Sequence, residues 1–301
     1  MNAVTGAFGY TGKYITRQLL QRSEPVITLT GHPDRRNEFG TAVRAFPLEF
    51  ESPERMAESL AGVSVLYNTY WIRFGHGKQT HDLAVANTRS LIRAAQMAGV
   101  GRIVHISITN PDPASDLPYF RGKALLEEDV RTSGISYAIV RPTVIFGKED
   151  ILINNIAFLL RKAPVFLAPG DGRYRLQPVF AEDVAAIAVG AAHATGDLVM
   201  DAVGPEIFSF DELLSLIART VGSRTIRVHA PSRIALLAAR MLGTVLGDVL
   251  LTADELAGLM TNLLISNSPP TGSTLLSSWL MENAATVGTS YSSELQRHFA
   301  A

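Results

Sequence analysis

The chain has no cysteine in its 301 residues. Disulfide staples, thiolate nucleophiles and cysteine-ligated zinc are excluded, while the compartment stays open. Charge of one sign is missing too: 27 Lys and Arg stand against 28 Asp and Glu, a formal net charge of -1. That balance gives no whole-chain footprint for nucleic acid or an acidic membrane surface. A bilayer-spanning run, about 20 apolar residues, is also absent. The most apolar stretch, 234–251, is broken by Arg240 and Asp248 and reads as a buried or amphipathic helix pair. No membrane span is expected. The glycine motif follows Met1 so closely that no leader is expected, which predicts a soluble cytoplasmic protein.

At about 150 residues per domain, the length predicts two structural units or one large two-part domain. Short apolar, β-branched runs at Asn2–Thr5, Val26–Thr30, 43–48, 63–68, 102–108 and 136–141 alternate with helical patterns at 12–22, 53–60, 81–98 and 118–132. This rhythm implies parallel strands joined by right-handed crossovers, hence an α/β, doubly wound Rossmann sheet. Strands nearly continuous in apolar residues suit a sheet covered on both faces. Residues 1–150 are expected to form a dinucleotide-binding domain to which 180–205 return, and 151–301 a smaller, mainly helical substrate-binding region. There, Ser209 or Asp211 caps a helix running to Thr220. Met241, Leu242 and Leu246 recur at helical spacing and read as core or a dimer face, so a homodimer is one open partnership.

Thr5-Gly6-Ala7-Phe8-Gly9-Tyr10-Thr11-Gly12 falls at the first strand-to-helix turn. Residues without Cβ let the main chain turn sharply and approach a pyrophosphate, and the helix N-terminus supplies amides and a positive dipole end. Gly6, Phe8, Gly9, Tyr10, Thr11 and Gly12 are the expected pyrophosphate contacts. After the second strand, Thr30-Gly31-His32-Pro33-Asp34-Arg35-Arg36 has no carboxylate at the strand end. His32, Arg35 and Arg36 suit a ribose 2′-phosphate, which favours NADP as cofactor. Asp34 keeps NAD open.

Tyr119 and Lys123 lie four apart on one helix face. A phenol of pKa about 10 exchanges protons poorly near neutrality unless a cation favours the phenolate. Upstream, Ser107 and Thr109 end a strand with hydroxyls that could hold a carbonyl oxygen. Downstream, Arg141-Pro142-Thr143-Val144 reaches the carboxyl edge of the sheet, where open α/β sheets bind ligands. Thr69 and Tyr70 end the fourth strand on that edge. Tyr70, Trp71 and Phe74 read equally as pocket lining or core.

With these markers the chain resembles the short-chain dehydrogenase/reductase superfamily. Arg141-Pro142 through Phe146-Gly147 is similar to its extended, epimerase-like branch. Gly170-Asp171-Gly172 and Gln177-Pro178-Val179 resemble atypical members, which include NmrA-like proteins and the nucleotide-binding accessory subunit of respiratory complex I. The resemblance implies Tyr119 as acid/base, Lys123 bonded to the nicotinamide ribose, and Thr109 or Ser107 orienting the substrate oxygen. It implies that main chain at Pro142 and Val144 meets the carboxamide, and that Glu49 and Phe50 border the adenine. Asn87, on the long helix, is a candidate for the family's supporting asparagine, and atypical members often keep the fold without the catalysis. Two functions follow as expectations: an NADP-dependent oxidoreductase or epimerase, or a non-catalytic NADP(H)-binding sensor or assembly protein. Apolar stretches at 234–251 and 256–264 point to a fairly apolar pocket for a small-molecule substrate, with a sugar nucleotide left open.

Gly75-His76-Gly77-Lys78-Gln79-Thr80 fails as a P-loop because Ile72 stands where the first glycine is needed. His76 and His81 lack metal-ligand spacing and a carboxylate set, so no metal is expected.

Overall fold

The computed structural model describes residues 1–295. Along the chain run β1 (Asn2–Thr5), α1 (Tyr10–Gln21), β2 (Val26–Thr30), β3 (Val43–Pro47), α2 (Pro53–Ser59), β4 (Val65–Asn68), α3 (His81–Met97), β5 (Arg102–Ile106), α4 (Pro118–Arg131) and β6 (Ser136–Pro142). There follow β7 (Val144–Phe146), α5 (Leu152–Lys162), β8 (Val165–Pro169), β9 (Arg175–Leu176), β10 (Pro178–Phe180), α6 (Ala181–Ala192) and β11 (Leu198–Ala202). The last elements are β12 (Phe208–Ser209), α7 (Phe210–Thr220), β13 (Ile226–Ala230), α8 (Ser232–Leu246), α9 (Ala253–Met260) and α10 (Leu276–Glu282). The chain divides into one unit of Met1–Pro142 with Ala181–Ala202, and another of Thr143–Phe180 with Val203–Ala301. The division falls after Pro142, ahead of residue 150.

The first unit is a seven-stranded sheet in the order β11-β6-β5-β4-β1-β2-β3, parallel at every pairing. It is the doubly wound Rossmann fold. β1, β2 and β5 are buried at every residue, as strands covered on both faces must be. Leu60, Leu66, Leu91, Ile103 and Val130 form a core between the sheet and α2, α3 and α4, while α1 packs beside α6. α1 begins at Tyr10, ahead of Gly12, because Gly9 already holds the extended cap conformation. β5 ends at Ile106, yet Ser107 N still donates to Val140 O (2.7 Å) and Thr109 N to Pro142 O (3.1 Å).

Among the described residues the second unit combines five helices with strand pairs β7–β10, β8–β13 and β9–β12. Phe146, Ile153, Leu160, Leu213, Ile217 and Trp279 centre its core. Gln177 is buried and joins three segments: its Nε2 donates to Gly204 O (2.9 Å), its Oε1 accepts from Ser266 N (3.0 Å), and its N donates to Leu264 O (3.0 Å). Of the two proposed caps of α7, Ser209 is the one used, in a reciprocal capping box with Glu212. The apolar stretch expected to make a helix pair instead makes α8, ended by left-handed Gly247. Met241, expected in a core or dimer face, is 65 % exposed. Among the described residues no helix is long and apolar enough to cross a membrane.

Candidate functional site

β1 lies between β4 and β2, so the crevice at the carboxyl ends of β1 and β4 is the topological switch point of the sheet. Gly6 follows β1 at φ +63°, a left-handed conformation that a Cβ resists. Gly9 N donates to Gly6 O (2.8 Å) to close the turn, and Gly6 N donates to Leu29 O (2.8 Å). A Cβ on Gly12 would stand 2.8 Å from the Gly6 carbonyl carbon and closer still to its oxygen. Both are main-chain atoms, so the overlap has no easy relief. Gly9 caps α1 without a side-chain bond, and the first turn holds no acidic residue. The positive end of the helix dipole is therefore not neutralised by the chain's own side chains.

The end of β4 is fastened to this turn. Thr69 N and Tyr70 N donate to Thr5 Oγ1 (2.8 and 3.1 Å), and Thr69 Oγ1 donates to Thr5 O (2.5 Å). Tyr70 stacks at a tilt on Phe50, ring centroids 4.7 Å apart, and its hydroxyl accepts from Asn87 Nδ2 (2.8 Å). Burial raises the Tyr70 phenol above its ordinary pKa, against the Asn87 bond. Glu49 pairs with Arg55 (3.1 Å). Beyond β2, His32, Arg35 and Arg36 are exposed in a turn where Arg35 N donates to His32 O (3.2 Å).

The third part is the face of α4. Lys123 is buried, and its Nζ donates to Ile106 O (2.7 Å) at the end of β5. The Trp71 ring lies over that ammonium at 4.7 Å, a cation–π contact. Gly122 makes room for it: a Cβ there would meet Trp71 Cη2 at 2.7 Å. Tyr119 is half-buried, its ring edge-on to Trp71 (5.7 Å) and to His81 (5.9 Å). Burial pushes the Lys123 amine down to about 7, against the pull of nearby Glu127. Beneath, buried Glu127 accepts from Arg141 Nε (2.8 Å) and Nη2 (2.5 Å), from Arg131 Nη2 (3.0 Å) and from Ser107 Oγ (2.6 Å). His105 is wholly buried, its Nδ1 3.0 Å from Asn68 Nδ2. Burial, then the Lys123 charge, holds its pKa well below the usual histidine range.

Residues 6–157 match the family described as NAD(P)H-binding. The chain belongs to that family. It is an atypical member of the short-chain dehydrogenase/reductase superfamily. It is 25% identical over 228 residues to subunit 9 of the NADH dehydrogenase 1 alpha subcomplex, mitochondrial, of Arabidopsis thaliana, covering 71% of this chain and 56% of that protein's length. It is 25% identical over 265 residues to the NADH-ubiquinone oxidoreductase 40 kDa subunit of Neurospora crassa, covering 84% of this chain and 68% of that subunit. An NADPH-dependent quinone oxidoreductase of Escherichia coli, solved with NADPH, shares the fold at TM-score 0.75 and 20% identity, over 95% of this chain and 99% of that one.

The glycine turn of this family sits beside Thr69 and Tyr70, and Tyr119 and Lys123 share one face of α4. Ser107 needs a correction. Its one hydroxyl proton is given to Glu127, so it has none for a substrate oxygen. Asn87 bonds Tyr70 rather than supporting Lys123. Pro142 ends β6 in the first unit, and Val144 begins β7 in the second. Trp71 and Glu127 were missed as parts of the Lys123 environment. Lys123-x-x-x-Glu127 was a readable signal, since oppositely charged residues four apart on a helix meet. Nothing in the sequence pointed Trp71 at Lys123.

Proposed function

We propose that this protein is an NADP(H)-dependent oxidoreductase, or an epimerase using the same machinery, that interconverts an alcohol and a carbonyl on a small molecule. The observation that carries this reading is the Tyr119–Lys123 pair on α4, its amine titrating near neutrality where acid–base catalysis works best. The cradle fits a dinucleotide: Gly12 leaves the space over the Gly6 carbonyl that any Cβ would fill. Main-chain amides at the start of α1, from Tyr10 to Gly12, hold the pyrophosphate, with Gly6, Phe8 and Gly9 shaping the turn beneath it. Glu49, Phe50, Thr69 and Tyr70 border the adenine side, and main chain at Pro142 and Val144 serves the carboxamide. Exposed Arg35 and Arg36, with His32, hold a 2′-phosphate, which selects NADP over NAD. When bound, the nicotinamide gives or takes the hydride. Tyr119 gives or takes the hydroxyl proton, Thr109 orients the oxygen, and Lys123 favours the phenolate. Ile234, Leu237, Met241 and Val245 of α8 face solvent, so these four carry no argument for an apolar substrate.

Titration with NADPH and NADH, followed by turnover on a panel of quinones, ketones and nucleotide sugars, tests the reading. Tyr119→Phe should lower kcat about a hundredfold with NADPH affinity unchanged. Arg35→Ala with Arg36→Ala should narrow the NADPH preference about tenfold. Turnover untouched by Tyr119→Phe refutes the chemistry. A second reading, a non-catalytic NADP(H) sensor or assembly protein, is favoured by Trp71, whose ring covers the ammonium that would meet the ribose. Tight NADPH binding with no Tyr119-dependent turnover on any of these substrates selects it.

A further inference from the structure

The near-zero net charge conceals a local imbalance. Between Glu212 and Asp248 the sequence holds Arg219, Arg224, Arg227, Arg233 and Arg240 and no carboxylate. All five arginines are exposed, and none pairs with a carboxylate among the described residues; Arg227 instead bonds Ser215 (2.6 Å). Within this segment lies α8, which buries only Ala235 and Gly243. Ile234 (54 %), Leu237 (59 %), Met241 (65 %) and Val245 (82 %) are exposed. At about 100° per residue these four fall within an arc of about 80°, opposite the buried side. Arg233 and Arg240 lie together along one flank, within about 60° of the arc.

We propose that α8 is an interfacial anchor that lays this apolar stripe into an anionic phospholipid surface, with the flanking arginines on the headgroup phosphates. A large apolar face beside basic residues, on a helix too short to span, suits a membrane interface. Charge selects the occupant. Anionic lipid answers Arg233 and Arg240 beside the stripe, in a segment that holds no carboxylate. A second copy paired antiparallel does not, because that pairing brings both arginine flanks to the same side, cation against cation.

Flotation of the full-length protein with phosphatidylcholine vesicles, with and without phosphatidylglycerol, tests this. Binding is expected on the mixed vesicles and at least tenfold less on neutral ones. Arg233→Gln with Arg240→Gln should weaken it about thirtyfold, at about 1 kcal/mol per arginine. Leu237→Ser with Met241→Ser should weaken it about a hundredfold while every charge remains. The four side chains are exposed, so both variants should melt with the wild type, and matched melting makes each loss of binding specific. Absence of flotation on the mixed vesicles overturns the proposal, as does unchanged binding by either variant. Self-association abolished by the Leu237/Met241 change, without vesicle binding, makes the stripe a contact between copies and overturns it too.

Discussion

Lys123→Met should flatten the rise of stability with pH above neutrality. In the folded protein the amine is held down to about 7 from an ordinary 10.5, chiefly by burial, against the attraction of Glu127. A base with a depressed folded pKa binds fewer protons folded than unfolded between those two values. Unfolding therefore takes up a proton, and stability rises as pH rises through that window. One proton is worth about 1.4 kcal/mol per pH unit, so the wild type should gain about 2.5 kcal/mol between pH 8 and pH 10 from this group. Tyr67 and Tyr174 act in the opposite sense, because burial raises their phenols, but only above pH 10. Methionine keeps the unbranched stem and has nothing to titrate. The assay is urea unfolding of both proteins at the two pH values, with the difference in gain as the readout. Equal gains would refute the claim that burial lowers the pKa of this lysine inside the fold.

Two further outcomes follow from contacts already described. Gly12→Ala should abolish measurable NADPH binding in a fluorescence titration while the chain remains folded, because the added Cβ overlaps the Gly6 peptide; retained affinity would separate the turn from the cofactor. Glu127→Ala should cost about 3 kcal/mol in urea unfolding at neutral pH, since Arg141 loses both of its bonds and Ser107 its acceptor; a loss under 1 kcal/mol would mean that water replaces the carboxylate freely.

Much of the first unit was readable because its signals are local. Apolar strands, helical periodicity between them and glycines at the first turn together demand a parallel sheet with a tight glycine turn at its carboxyl edge, and both are present. Element ends were less legible. The helical pattern reads from Gly12, but α1 begins at Tyr10 and Gly12 serves close packing of α1 on the turn. Ser107 and Thr109 looked interchangeable at the end of one strand. They differ because Ser107 meets Glu127 from α4, a partner 20 positions away.

The sequence by itself determined the class of fold, the position of the dinucleotide turn and the shared face of Tyr119 and Lys123. Each follows from spacing within one element or across one turn, where backbone geometry leaves little choice. Tertiary structure decided that Trp71 lies over Lys123, that Glu127 binds Arg141 and that the apolar stripe of α8 faces water. Those outcomes depend on which distant segments meet and which helix face finds the core. A periodic pattern shows that a helix has two sides, and only the packing around it fixes which one is left outside.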